Sequence, residues 1–137
     1  TRKESSAASD VYKRQMQVRS LGIDAEPHDT LPDGVLEHTS IPAERDVLAT
    51  RSSDLHWDRL LFCAKEATYK AWFPITGRWL GFEDAHITFE QTGPASGTFV
   101  SRILIDPAAS DGGAPLLKLP GRWLIERDLI TTTIALV

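Results

Sequence analysis

Residues Trp57 to Trp72 read WDRLLFCAKEATYKAW. The run holds no Gly or Pro and is dominated by Leu, Ala, Lys, Glu and Arg, all good helix formers. Asp54 is placed to cap its start, and Pro74 predicts an end at about Trp72 or Phe73. Trp57, Leu60, Leu61, Ala64, Thr68, Ala71 and Trp72 fall on one stripe at helical spacing, which predicts a face turned to a core. The opposite face interleaves aromatic rings with charge: Phe62, Glu66, Tyr69, Lys70 and Phe73, with Lys65 on its shoulder. Glu66 and Lys70 are spaced as an (i, i+4) ion pair. A solvated ion pair is the bland reading of such a face. Three aromatics beside it point instead to a pocket wall suited to a long ligand with an apolar arm, a charged end and a bound metal.

The surrounding chain has the composition of a single globular domain. It holds 137 residues, 42% apolar and 25% charged, with a formal net charge of −4. That length supports one core, and the negative balance argues against general nucleic-acid binding. The single cysteine, Cys63, excludes an internal disulfide and fits a reducing cytoplasm. It borders the apolar stripe, so an inert core thiol is expected. No apolar run approaches the roughly 20 residues of a membrane span, and no secretion signal is evident.

Thr1 to Gln15 is polar and aperiodic, and is expected to be a disordered or spurious leader before a domain over residues 16–137. Gln17 to Glu26 reads as a strand ended by Pro27. Asp24 and Glu26 then point to one side. Either these acids reach water at a strand end, or they share a cation with a third oxygen ligand, and a hard ion such as Mg²⁺ suits that set. Asp29 to Arg51 predicts two short helical pieces broken at Pro32 and Pro42, with Ser40 and Glu44 near capping spacing. Strands are expected over residues 85–90, 97–105, 121–126 and 129–137, the last two as a hairpin. A helix followed by short strands predicts an α+β fold, with the long central helix packed on an antiparallel sheet. His28, His38, His56 and His86 lack ligand spacing and read as surface or structural.

Two signals stand in order: Gly22-Ile23-Asp24-Ala25-Glu26, then Phe62-x-x-Lys65-Glu66-Ala67-x-x-Lys70 about 40 residues further on. The pair resembles the two signature motifs of the 4′-phosphopantetheinyl transferases. Ile75 to Glu90, with its Trp79-Leu80-Gly81-Phe82-Glu83 run, looks like the two-half branch of the enterobactin-synthase-component-D type, which serves siderophore and polyketide assembly lines. The resemblance covers roughly Val18 to Val137. The family often has Trp where this chain has Phe62.

The resemblance implies transfer of the phosphopantetheine arm of coenzyme A to a serine of an apo acyl or peptidyl carrier protein in the cytoplasm. It implies that Asp24, Glu26 and the Ala25 carbonyl hold Mg²⁺ together with Glu66. Glu66 would also deprotonate the carrier serine. Lys65 would neutralise the transferring phosphate, and Lys70 would bind a coenzyme A phosphate. Phe62, Tyr69, Trp79 and Leu80 would form the pantetheine pocket. Members of this branch have two similar α+β halves with the site between them, and this chain matches the second, C-terminal half of that pseudo-dimeric fold. The first half normally brings basic residues and a histidine from a Ser-His pair, so a truncated, weakly active chain is expected. Three readings compete: a short holo-acyl-carrier-protein-synthase-like homo-oligomer, an inactive carrier-protein or nucleotide-binding module, and a generic Mg²⁺-dependent hydrolase.

Overall fold

The computed structural model describes residues 18–137. The leader expected over Thr1 to Gln15 lies outside them. The chain runs β1 (Ser20–Pro27), α1 (Val35–Thr39), α2 (Pro42–Leu48), α3 (Trp57–Thr76), a 3₁₀ turn (Phe82–Asp84), β2 (Ala85–Gly93), β3 (Ser96–Ile103), β4 (Lys118–Glu126) and β5 (Leu129–Leu136). The strands form one antiparallel sheet in the order β1-β5-β4-β3-β2. Four consecutive strands make a meander, and β1 closes onto its far edge beside β5.

α3 covers one face of this sheet. Every residue of the predicted apolar stripe is buried, and Leu60, Leu61, Ala64, Thr68, Ala71 and Trp72 have no exposed surface. Trp57 meets Trp123 edge to face, with centroids 5.4 Å apart, and Phe89 at 5.9 Å. On the buried face the Thr68 hydroxyl bonds to Ala64 O and shares a hydrogen bond with Ser101 Oγ, whereas Trp57 Nε1 is buried without a partner. Thr132 Oγ1 donates to Cys63 O at 3.0 Å.

Both ends of α3 differ from the sequence expectation. The N-cap is His56, not Asp54, and no side chain caps it. The His56 N–H donates to His28 Nε2 at 3.0 Å, so the two histidines are structural partners. The helix also runs past Pro74 to Thr76. Proline removes one N–H but does not itself forbid the turn that follows. Gly77 stops the helix instead, in the left-handed conformation at φ 64°, donating to Phe73 O. Arg78 then fastens the helix end, stacking on Trp72 and donating to Asp106 O and Ala108 O. The β4–β5 hairpin turns through Arg127 and Asp128, both at positive φ, without the Asn-Gly signal that usually marks such a turn.

β1 is built unlike the other strands. Its apolar Leu21 and Ile23 are exposed, while Ser20, Gly22, Asp24 and Glu26 face α3. Gly22 is required there: a Cβ would run into Ala67 O and lie 2.8 Å from Ala71 N. Among the described residues no helix is long and apolar enough to cross a membrane.

Leu61 tests the packing. Leu61→Ala should lower the unfolding free energy in urea by about 2–5 kcal/mol, the range for a fully buried leucine. A loss below about 0.5 kcal/mol would mean that this face is not core.

Candidate functional site

β1 and the exposed side of α3 bring the two sequence motifs together. Lys70 Nζ lies 2.8 Å from Asp24 Oδ1 and 3.2 Å from the Ile23 carbonyl oxygen. The expected Glu66–Lys70 pair does not form; Lys70 crosses to the strand instead. Reach explains the exchange. The close approach at Gly22 puts Asp24 within range of Lys70.

Glu66 lies on the Asp24 side of the helix, near enough for Asp24 and Glu26 to act on its carboxyl. Burial pushes the Glu66 carboxyl above its ordinary range, with Asp24 and Glu26 adding repulsion and Lys70 opposing it. Burial likewise raises Glu26, and Asp24 adds to the shift while Arg59 and Lys70 oppose it. Asp24 Oδ2 is buried and has no hydrogen-bond partner. Among the described residues no three His, Cys, Asp or Glu side chains are drawn together closely enough to hold an ion as they stand. Even so, an orphaned carboxylate oxygen between two destabilised carboxylates has the chemistry of a hard-cation site. Ala25, between the two strand acids, pairs with Thr131 and has its side chain on the opposite, exposed face.

Beside Glu66 opens a mostly apolar cavity of about 170 Å³. Tyr69, Trp79 and Leu80 line it, together with Glu66 and Lys65. The rings of Tyr69 and Trp79 are 5.3 Å apart, and Tyr69 also meets Phe73 at 5.8 Å. Phe62 is not in the lining; it stacks behind Phe82, with centroids 6.0 Å apart. Gly81, Phe82 and Ala85 complete the wall. Periodicity on α3 could not supply these three, because they lie just before the 3₁₀ turn, on it and at the start of β2.

Lys65 is more buried than its place at the helix shoulder suggests. Its side chain is 2% exposed, and Nζ lies 2.9 Å from Glu44 Oε1. Nζ also donates to the carbonyls of Phe82 and Ala85, each at 2.6 Å. Burial pulls Lys65 below the usual ammonium value, against the upward pull of Glu44. Glu44 was legible only as a capping residue. It does cap α2, accepting the Ile41 N–H at 2.9 Å, and it also reaches Lys65. Cys63, on the core side, has its thiol pushed up to about 12 by burial and is inert at neutral pH.

The raised carboxyl of Glu66 makes a signed prediction. A carboxyl whose folded value lies above its unfolded one stabilises the fold below about 4.5 and loses that contribution as pH rises through the folded value. In chelator at pH 7, Glu66→Gln should therefore melt higher than the wild type. The gap should close below pH 4.5, measured by thermal denaturation across pH.

Comparison with known proteins gives a consistent result. Residues 20–111 match the 4′-phosphopantetheinyl transferase superfamily. The 4′-phosphopantetheinyl transferase PptT of Mycobacterium tuberculosis is 62% identical over 128 residues, covering 92% of this chain and 56% of that protein. The transferase Npt of Nocardia iowensis is 61% identical over 125 residues, covering 88% of this chain and 56% of its own length. Svp of Streptomyces mobaraensis is 47% identical over 125 residues, covering 89% and 49%. The chain thus spans about half the length of these curated relatives.

Proposed function

This chain belongs to the 4′-phosphopantetheinyl transferase superfamily, and from that premise we propose that it carries the acidic and pantetheine-binding half of such an enzyme. The substrates would be coenzyme A and the serine of an apo acyl or peptidyl carrier protein. One observation carries the reading: the strand acids Asp24 and Glu26 face Glu66 and Lys70 of α3 at the rim of an apolar cavity. A charged pyrophosphate beside an apolar arm needs those two surfaces in that order.

The geometry supports the following roles. Asp24, Glu26 and Glu66, with the Ala25 carbonyl, are the residues that would hold Mg²⁺, and the orphaned Asp24 oxygen supports them. A bound Mg²⁺ would supply charge neutralisation at the pyrophosphate. Glu66 is the base that accepts the proton of the carrier serine, and its raised carboxyl suits that task. The serine oxygen bonds to the phosphorus that bears the arm. The bond from that phosphorus to the bridging oxygen breaks, and adenosine 3′,5′-bisphosphate leaves. Lys70, half-exposed, is free at its outer side to meet a phosphate. Lys65 would act on the phosphate through its field rather than by a hydrogen bond, since Glu44, Phe82 and Ala85 already hold its ammonium. Tyr69, Trp79 and Leu80 would grip the arm, with Phe62 supporting Phe82.

We also read the chain as the second half of the two-half branch, serving siderophore, polyketide or lipid assembly in the cytoplasm. The Trp79–Glu83 run supports that branch, and the lengths of the relatives are compatible with a second half. On this reading the isolated chain transfers little, because the other wall of the cleft and most phosphate-binding cations are missing from it.

The test joins this chain to the first half of PptT of Mycobacterium tuberculosis, its 62% identical relative. The hybrid is incubated with coenzyme A, Mg²⁺ and an apo carrier protein, and the carrier is weighed by mass spectrometry. The phosphopantetheine mass should appear, Glu66→Gln should abolish it, and Lys70→Ala should raise KM for coenzyme A more than it lowers kcat. A folded hybrid that labels no carrier overturns the reading. Efficient labelling by the chain alone would favour the symmetric homo-oligomer. In the chain alone, Mg²⁺ should raise the melting temperature of the wild type and not of Asp24→Asn.

A further inference from the structure

The wall of the cavity is held from behind. Phe82 and Ala85 bracket the 3₁₀ turn, and both of their carbonyls accept hydrogen bonds from Lys65 Nζ at 2.6 Å. The third position on that ammonium is taken by Glu44 Oε1. Glu44 Oε1 also accepts from Ile41 N, and Oε2 accepts the Ile87 N–H at 2.7 Å, at the start of β2. Glu44 is 2% exposed and its side chain 1%. One carboxylate on α2 thus ties together α3, β2 and, through Lys65, the turn between them. The turn has its own bonds as well: Gly81 N–H to Asp84 Oδ2, Asp84 N–H to Gly81 O, and Leu104 N–H to Asp84 O. None of these reaches the carbonyls of Phe82 or Ala85.

A buried ion pair is a poor device for stability alone, since apolar residues of equal volume often do as well or better. What apolar residues cannot do is hold two inward-turned carbonyls at a fixed distance from a helix. We propose that Glu44 is a positioning residue: acting through Lys65, it fixes the Phe82–Ala85 wall and so sets the width of the cavity beside Glu66. Its consequence for binding rests on the reading of that cavity as the seat of a pantetheine arm. Its structural content does not.

The experiment uses the chain as it stands, with Glu44→Gln as the variant. Hydrogen exchange, read by mass spectrometry well below the melting temperature, compares residues 82–87 with β4 and β5. Residues 82–87 should exchange about tenfold faster than in the wild type, the scale set by unpairing one buried hydrogen-bonding group, while β4 and β5 are unchanged. Faster exchange everywhere, or none at 82–87, overturns the proposal, because a merely structural pair lowers protection globally. Pantetheine is then titrated against Trp79 emission. Trp79 is 71% exposed in the cavity lining, whereas Trp57, Trp72 and Trp123 are at most 4% exposed. Affinity should fall about tenfold in the variant, for the same reason. Unchanged pantetheine affinity despite faster exchange at 82–87 would overturn the claim that the brace sets the cavity width. If the wild type gives no pantetheine response while the local exchange effect holds, the arm reading fails and the brace stands. Should the Gln variant not fold, Glu44→Asp keeps the charge but withdraws its reach; local exchange should rise in it too, and none would overturn the brace.

Discussion

The site depends on one approach of backbone to backbone. Gly22 sits against Ala67 O and Ala71 N, with no room for a side chain. Because α3 presents only alanines there, and β1 only a glycine, strand and helix close on each other. Ser20 Oγ fastens the contact by donating to Ala71 O at 2.7 Å. The next residues on the same strand face are Asp24 and Glu26, so the approach that excludes a Cβ also delivers two carboxylates to Glu66 and Lys70. Gly22, Ala67 and Ala71 are therefore as necessary to this juxtaposition as the acids themselves.

The fold accepts an electrostatic penalty in return. Burial disfavours the charge of Glu26 and Glu66, and Asp24 adds repulsion to both, while Lys70, and Arg59 at Glu26, offset it in part. The other lysine of the motif does not relieve the crowding, because Glu44 occupies it on the far side of the cavity wall. Adjacent residues on one helix thus do opposite work. Lys65 is spent on fixing the wall, while Glu66 is left strained and partly open. Sites that perform chemistry commonly keep such unrelieved charge.

How much of this was legible in the sequence followed from the range of each signal. The stripe on α3 was legible because helical spacing is local, and all its members are buried. Each of the five strands could be placed because alternation and turn residues are local as well. Pro74 misled, because one lost N–H near a helix end costs little once Gly77 and Arg78 secure the turn beyond it. The partner of Lys70 was misassigned for a similar reason. Spacing on one helix names the nearest acid in sequence, and the sheet brings a different one closer. Glu44 was the largest omission. Its capping signal is local, whereas its bonds to Lys65 and Ile87 exist only when α2, α3 and β2 are assembled. The Phe82 and Ala85 wall was hidden similarly, inside a short turn without periodicity.

The order of the strands governs when the site can come into being. β2 to β5 form a meander whose neighbours in space are neighbours in sequence, so its pairings are closer in sequence than that of β1. β1 is the exception: it pairs with β5, Ser20 against Leu136, across nearly the whole described chain. On a ribosome, Asp24 and Glu26 emerge long before the strand that must receive them, and they remain without a seat until Leu129–Leu136 has left the exit tunnel. The acids thus precede in synthesis the strand that seats them. A nascent chain is thereby kept from forming its acidic cluster until the sheet that holds it is complete.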